Sequence, residues 1–225
     1  MKRCFGLNSL LGKALAEFAG TAFLVAVVVG SGIMATNLSN DLGVALLINA
    51  LSTILALGLL IYALAPISGA HFNPAVSIVE FALGKMKAAQ ALTYVVAQVA
   101  GAVAGTILAN VMFDQSAIQI SAHSRFTTGT FIGEVLATAG LVALIGILVS
   151  RNRQALIPVA VAAWIGSAYF FTSSTAFANP AVTVGRIFTD TFAGIAPTSV
   201  LPFVAAQLIG ALIGMLIAKG IKNVG

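Results

Sequence analysis

Two copies of the tripeptide Asn-Pro-Ala carry the most specific chemistry in this sequence. They are Asn73-Pro74-Ala75 and Asn179-Pro180-Ala181. Asn is a preferred helix cap and Pro fits the first helical turn, so each copy predicts the start of a helix. The free N–H groups at a helix start carry a partial positive charge, and the Asn side chain adds amide donors. Two such starts at one place would orient the oxygen atoms of water and repel cations, including protons.

The composition places these helix starts in a membrane. The chain has 225 residues, of which 60% are hydrophobic and 8% are charged, whereas about 25% of residues are charged in soluble domains. A membrane-spanning helix needs about 20 apolar residues. Six stretches of suitable length occur, at residues 14–35, 42–64, 88–112, 130–149, 156–171 and 200–218.

Two further apolar stretches, at residues 74–83 and 180–188, are too short to cross a bilayer. Each of them follows one of the Asn caps. We expect them to form re-entrant half-helices, whose irregular ends need protein or a water-filled cavity around them.

The order of motifs is the same in both halves of the chain. Each half has a glutamate in its first span (Glu17 or Glu134), then Asn-Pro-Ala, then Ala-Gln-x-x-Gly-Ala-x-x-Gly, which contains Gln98 or Gln207. Because each half has three spans, the second half enters the membrane upside down, and the two half-helices meet near the midplane. The sequence therefore predicts an all-α membrane protein with six transmembrane helices and two re-entrant half-helices in two inverted repeats. The repeats cover residues 1–113 and 114–225 and form one integral pore domain.

The positive charges predict the orientation of the chain. With six crossings, nine of the eleven Lys and Arg residues fall on one side of the membrane: Lys2, Arg3, Lys13, Lys85, Lys87, Arg151, Arg153, Lys219 and Lys222. Only Arg125 and Arg186 fall on the other side. The positive-inside rule then places both termini in the cytoplasm, as expected for a multi-pass protein of the cell inner (plasma) membrane. The net charge of +5 follows from this topology, and no clustered basic face for nucleic acid is visible.

The residue types exclude several other kinds of site. No nucleophile, base and orienting group occur together, and a Gly-rich phosphate loop before a helix is missing. His71 and His123 are too few for a metal cage, and the single cysteine, Cys4, supports neither a disulfide nor a cysteine metal site. We therefore expect no catalytic residue, no metal and no cofactor. The chain has the features of a pore and not of an enzyme.

The two loops resemble those of a known family. Ser68-Gly69-Ala70-His71-Phe72-Asn73-Pro74-Ala75-Val76 and Ala178-Asn179-Pro180-Ala181-Val182 are similar to the two pore loops of the aquaporin, or major intrinsic protein, family. The resemblance implies a homotetramer in the lipid bilayer, with a pore for water and small neutral solutes in each monomer. It also implies that His71 lines the inner mouth of the pore; the alternative is that His71 packs the loop.

The family normally has Arg directly after the second Asn-Pro-Ala, and this chain has Val182 there. By similarity, Thr53, Ser167 and Ala176 share the outer constriction, or selectivity filter, with that position. If the helix register differs, Ser167 is replaced by Trp164, Tyr169 or Phe170. As aligned, the ring has no aromatic side chain, histidine or arginine, which predicts a wide filter with little charge. This filter is similar to that of bacterial aquaporins linked to arsenic resistance, which implies passage of metalloid hydroxides such as arsenous acid and of organoarsenicals.

Several polar residues have two interpretations. Glu17 and Glu134 are either proton-relay groups or, as their symmetric repetition favours, acceptors for backbone N–H groups before each half-helix. Gln98 and Gln207 belong to patterns typical of close helix–helix contacts. Arg186 lies four residues after Val182 and therefore on the same helix face. Its side chain either reaches the outer membrane interface or leans back over the pore mouth, where it would attract anions.

A secondary transporter is the alternative function, because such proteins also use inverted repeats and broken helices. A coupled carrier needs an ion site, usually with acidic residues at one place in the membrane. The acids expected within the membrane are the symmetric Glu17 and Glu134, so the sequence favours a passive channel.

Overall fold

The computed structural model describes residues 9–224. Lys2, Arg3 and Cys4, on which parts of the sequence analysis rest, lie outside the described residues. Residues 9–224 form eight α-helices and two short 3-10 turns, Gln154–Leu156 and Arg186–Phe188. The helices are α1 (Leu10–Leu38), α2 (Leu42–Ser68), α3 (Pro74–Ala82), α4 (Ala88–Met112), α5 (Thr128–Ser150), α6 (Ile157–Phe171), α7 (Pro180–Gly185) and α8 (Pro197–Val224).

Six of these helices are long and apolar enough to cross a membrane, namely α1, α2, α4, α5, α8 and α6 together with the 3-10 turn before it. The predicted number of spans is therefore confirmed. Most of the helices extend beyond the predicted apolar stretches, because capping groups and not hydropathy set their ends. At the start of α1, for example, the Ser9 hydroxyl accepts a hydrogen bond from the Gly12 N–H at 3.1 Å.

The two short helices begin at the prolines of the tripeptides, as predicted. Helix α3 has nine residues and ends one residue before the predicted limit, at Ala82. Helix α7 has only six residues, and the chain then tightens into the 3-10 turn Arg186–Phe188. At about 1.5 Å per residue, α7 and α3 are about 9 and 14 Å long, less than half of a bilayer core of about 30 Å.

Close helix contacts hold the bundle together, and glycine makes them possible. Helix α4 packs against α1, and α8 packs in the same way against α5. A Cβ atom on any of four glycines would overlap a carbonyl oxygen of the facing helix. The pairs are Gly101 with Phe18, Gly105 with Ala22, Gly210 with Val135, and Gly214 with Ala139. Small residues at such positions let helix backbones approach within a membrane.

The outer surface of the bundle is apolar. Leu51, Leu55 and Leu59 of α2, which are spaced four residues apart, are all exposed. This four-residue spacing marks one face of the helix. The opposite face of α2 contributes to the interior of the bundle, where the functional site lies.

Candidate functional site

The two short helices meet at their N-termini in the centre of the bundle. Asn73 caps α3 and Asn179 caps α7, and each side-chain oxygen accepts the N–H of the residue two positions later, at 2.9 and 3.0 Å. The Nδ2 atom of Asn73 donates to the carbonyl oxygen of Ala178, and that of Asn179 donates to the carbonyl oxygen of Phe72, both at 2.8 Å. An amide group has two N–H donors. One N–H of each cap is thus used between the loops, and the other is available to the cavity that both caps line.

The loop before each short helix contains backbone conformations that non-glycine residues rarely adopt. Ala70 and Phe72 in the first loop, and Ala176 and Ala178 in the second, have positive φ angles between 47° and 50°. A left-handed conformation costs an L-residue about 1–2 kcal/mol. The loops must therefore be held in place by other interactions.

A buried glutamate holds the first loop. The carboxylate of Glu17 accepts hydrogen bonds from the backbone N–H groups of His71 (3.0 Å) and Phe72 (2.7 Å). It also accepts from the Ser68 hydroxyl at 2.6 Å and from Nε2 of Gln98 at 2.8 Å. The two backbone contacts join α1 to the loop, whereas the contacts with Ser68 and Gln98 join α1 to the end of α2 and to α4. This geometry favours the structural interpretation of Glu17 over a proton relay.

The second loop has the corresponding arrangement. Glu134 accepts the N–H groups of Phe177 (2.9 Å) and Ala178 (2.8 Å), and Nε2 of Gln207 donates to it at 2.6 Å. Gln207 also donates to the Thr183 hydroxyl at 2.8 Å. Gln98 makes the equivalent bond to Ser77 at 2.9 Å. The glutamines therefore connect each loop to its own short helix, in addition to lying in the close helix contacts that the sequence indicates.

A cavity of about 350 Å³ runs through the bundle past both Asn caps. Its wall is mostly apolar, and four of the long helices, α1, α2, α5 and α6, contribute residues four positions apart. Helix α2 presents Thr53, Leu57 and Ile61, and helix α6 presents Ile157, Val161, Ile165 and Tyr169. Because four residues make about one helical turn, these side chains form straight strips along the cavity.

The structure corrects the residue that we expected from α6 in the cavity wall. Ser167 is exposed and is not part of that wall. Tyr169, one of the alternatives to Ser167, lines the cavity instead. Two residues correspond to about 200° around a helix, so Ser167 lies on the opposite side of α6. The other two alternatives also point elsewhere: Trp164 Nε1 donates to the Ala137 carbonyl of α5 at 2.8 Å, and Phe170 is exposed.

Thr53, Ala176 and Val182 do line the cavity together with Tyr169. The Tyr169 hydroxyl donates to Oγ1 of Thr53 at 3.3 Å, and this contact joins α6 to α2. Val182, one residue after the second tripeptide, presents no hydrogen-bonding group to the lumen. The ring around this part of the cavity therefore contains an aromatic side chain, contrary to expectation, while it lacks a charge at position 182.

His71 lies toward the opposite end of the cavity. Its Nδ1 is 3.0 Å from the Ser77 hydroxyl, and its ring packs edge-on against Tyr94, with 5.3 Å between the ring centroids. It also lines the cavity near Glu80 and Lys85, which form a salt bridge of 2.8 Å. His71 thus combines the two roles that the sequence left open, since it packs the loop and contacts the lumen.

Arg186 stands at the end of the cavity away from His71, and the sequence offered two interpretations of its side chain. Its side chain is only 4% exposed and lines the cavity, so it does not reach out to a membrane interface. The Nε atom donates to the Ala193 carbonyl, and the guanidinium carbon lies 3.5 Å from the centroid of the Phe177 ring. Ala193 lies in the loop after the 3-10 turn, and this loop returns to Arg186, since the Ile195 N–H donates to the Arg186 carbonyl at 3.2 Å.

A second arginine lies nearby. Arg125, in the loop between α4 and α5, donates from Nε to the Gly194 carbonyl at 2.6 Å and from Nη2 to the Phe192 carbonyl at 2.7 Å. Burial lowers the pKa of Arg125 to about 10, so it remains cationic at neutral pH. Arg125 and Arg186 together give this end of the cavity a positive charge.

Comparison with known proteins identifies the family to which this architecture belongs. The sequence profile of the family described as "Major intrinsic protein" matches residues 7–177. The chain belongs to the major intrinsic protein family. Members of this family are channels for water and small solutes, so the chain is a multi-pass membrane channel and not an enzyme.

Individual members of the family are similar over nearly the whole chain. The Aquaglyceroporin AqpS of Rhizobium meliloti (strain 1021) is 45% identical over 210 residues, which cover 93% of this chain and 90% of that protein. Aquaporin Z of Brucella melitensis biotype 1 is 31% identical and covers 94% and 98% of the two chains. The X-ray structure of the aquaglyceroporin from Plasmodium falciparum superposes with a TM-score of 0.75 at 24% identity, over 96% of this chain and 97% of the other. The last comparison supports the fold alone.

Proposed function

We propose that this channel passes arsenous acid and methylated arsenicals in addition to water, and that Val182 is the residue that admits them. The side chain lies in the cavity wall, three residues after the Asn179 cap. Valine is shorter than arginine and has no donors, so it neither fills the lumen nor holds water in a fixed position. Tyr169 lines the same cavity, and the room left by Val182 is the variable that decides which solutes fit.

The polar groups of the cavity suit a neutral hydroxide. Arsenous acid is uncharged at neutral pH, so it enters an apolar passage without the cost of burying a charge. Its hydroxyl oxygens accept from the free N–H of Asn73 and of Asn179, and its hydroxyl hydrogens can be donated to Oγ1 of Thr53. The long apolar strips between these stations give the solute few strong interactions, which favours fast passage.

The alternative, a secondary transporter, has less support. Such a carrier needs an ion site within the membrane. The carboxylates of Glu17 and Glu134 are already occupied by the N–H groups of their loops, by the side chains of Gln98 and Gln207 and, for Glu17, by the Ser68 hydroxyl. A coupling ion would have to displace these donors from loops that they hold in a strained conformation.

We further propose that the monomer consists of two inverted repeats, residues 1–113 and 114–225, that both termini are cytoplasmic, and that four copies assemble in the cell inner membrane. The matched hydrogen bonds of Glu17 with Gln98 and of Glu134 with Gln207 support the repeats. The distribution of Lys and Arg supports the orientation. The family resemblance supports the tetramer.

The decisive experiment is a solute panel in proteoliposomes measured by stopped-flow light scattering. The panel contains water, glycerol, urea, arsenous acid and a methylated arsenical; glycerol is included because a relative is named an aquaglyceroporin. We expect all fluxes to be independent of proton and sodium gradients. Absence of arsenical flux with normal water flux would remove the arsenic proposal, and gradient-driven uptake would favour the transporter.

A further inference from the structure

Arg186 occupies the boundary between the cavity and its outer vestibule. It follows Val182 by four residues, which is about one helical turn. Its side chain lines the central cavity and also a second cavity of about 290 Å³, whose wall includes His123 and Arg125. Every solute that passes from the outer vestibule toward the Asn caps therefore meets this guanidinium group.

The guanidinium group has a fixed position. Its Nε atom donates to the Ala193 carbonyl, and its plane is held by the Phe177 ring, 3.5 Å from the guanidinium carbon. That ring is itself anchored, since it packs edge-on against Phe203 with 5.2 Å between the centroids. A cation over an aromatic face is stabilised by the ring quadrupole. The side chain is thus held in one place at the mouth and is not free to extend into solvent.

Most hydrogen-bond donors of Arg186 have no protein partner. Among residues 9–222, only the Ala193 carbonyl accepts from its guanidinium group, and no carboxylate lies within salt-bridge distance. The nearest candidates are engaged elsewhere: Glu134 accepts from the second pore loop, and Asp190 accepts the Ala122 N–H at 2.9 Å. A buried cation without partners is costly. The oxygen atoms that fill the cavity must therefore accept from the Nη groups.

We propose that Arg186 is a solute-binding and cation-excluding station, placed one turn outward from the position that Val182 leaves uncharged. The two Nη atoms present parallel N–H groups, a fork that pairs with two oxygen atoms on one central atom. The station would prefer trihydroxides and monoanionic oxoacids to urea, which has a single oxygen. Its charge would repel protons and metal cations at the mouth, a task that Val182 cannot perform. This inference rests on the proposed channel function.

The test uses proteoliposomes containing the full chain with R186Q, R186K or R151Q. Two quantities are measured: the proton leak under a pH gradient, with an enclosed pH-sensitive dye, and the flux ratio of arsenous acid to urea, with boric acid as a second trihydroxide. R186Q should raise the leak and lower the ratio by about tenfold, the range of a lost charged hydrogen bond. R186K keeps the charge without the fork, so it should lower the ratio while the leak stays at the wild-type level.

R151Q is the matched control, because Arg151 is exposed at the end of α5 and lines neither of the two cavities that Arg186 lines. It removes the same charge and should leave both readouts near the wild type. An R186Q variant with unchanged leak and unchanged ratio overturns the proposal, and so does an R151Q variant that behaves like R186Q. If neither trihydroxide crosses the wild-type channel, the proposed solute class is wrong, while the leak of R186Q and R186K beside normal water flux still decides the role of Arg186. If R186Q fails to assemble, R186K alone tests the role of Arg186. A purely structural role would leave the ratios of arsenous acid to urea and of boric acid to urea unchanged in R186K, and that result would overturn the proposal.

Discussion

Asn73 and Asn179 each donate a hydrogen bond to the backbone of the other's loop, to Ala178 and Phe72 respectively, at the same distance of 2.8 Å. The two caps therefore do more than start their own helices. They join the two loops to each other at the point where the helix N-termini meet, and they leave one N–H each for the solute. The same two side chains provide both the connection and the chemistry of the pore centre.

Replacing either cap with aspartate should damage both roles. In N73D or N179D a carboxylate takes the place of the amide, so the carbonyl of Ala178 or Phe72 loses its donor and faces a negative oxygen. An unpaired buried polar group costs about 1–3 kcal/mol. We expect lower thermal stability in detergent and a higher proton leak in liposomes. N152D, at an exposed residue of the α5–α6 connection, is the control; wild-type leak and stability in both cap variants would refute this prediction.

Removing Glu17 should harm assembly before it harms selectivity. In E17L the N–H groups of His71 and Phe72 lose their acceptor, at about 1–3 kcal/mol for each unpaired group. E17Q retains one acceptor oxygen and should be less destabilised than E17L. The measurement is thermal unfolding, monitored as the fraction of protein that remains monodisperse in size-exclusion chromatography after heating. E80Q, which breaks the half-exposed salt bridge to Lys85, serves as the comparison and should cost about 1 kcal/mol or less.

An E17L protein that is as stable as the wild type would contradict the structural role. If that protein also lost uptake driven by a proton gradient, the relay interpretation and the transporter would regain support.

Restoring arginine after the second tripeptide should narrow the channel. In V182R the new side chain fills the lumen opposite Tyr169 and places a second guanidinium one turn from Arg186. We expect the flux of arsenous acid to fall more than that of water. The ratio of the two fluxes should fall by about tenfold relative to the wild type, which corresponds to a barrier raised by about 1.4 kcal/mol for arsenous acid. V182L adds bulk without charge and separates the two effects. Equal reductions for both solutes in V182R would mean that Val182 does not set the breadth of the pore.

The glycine contacts predict a position-dependent effect along a single helix. In G214A the added methyl group would overlap the Ala139 carbonyl of α5, whereas a Cβ at Gly220 meets no atom within 4 Å. Overpacking typically costs about 1–3 kcal/mol, and Ala is favoured over Gly in a helix by about 1 kcal/mol. We therefore expect G214A to unfold at a lower temperature than the wild type and G220A at the same or a higher one. A loss of stability in G220A as large as that in G214A would show that the overlap with the Ala139 carbonyl does not explain the effect of G214A.

Much of the architecture follows from local sequence signals. Hydropathy predicts the six spans, and Asn-Pro predicts the starts of α3 and α7, because a cap and a first-turn proline act through neighbouring backbone groups. The repeated Glu and Gln identify the residues that hold the loops. Each of these features can be predicted either from residues that are close together in the sequence or from a pattern that occurs twice.

The registers of the helices around the cavity are harder to predict. Helix α6 is apolar on every side, so no polar face shows which strip points inward. A distance counted back from Asn179 selected Ser167, while Ile157, Val161, Ile165 and Tyr169 already form a four-residue series that ends at the correct side chain. The position of Arg186 depends on the carbonyl of Ala193, and no local pattern reports where that loop returns.

The hydrogen bond from Asn73 to Ala178 also has a consequence for the order of biosynthesis. The acceptor lies 105 residues after the donor, and ribosomes add about 5–20 residues per second, so the donor is made about 5–20 s before its partner. During that interval the first loop already has Glu17 and Gln98 to hold it, but its cap has nothing to bind across the bundle. The centre of the channel is therefore completed only when the last third of the chain has entered the membrane, and a nascent chain that stops earlier has no pore.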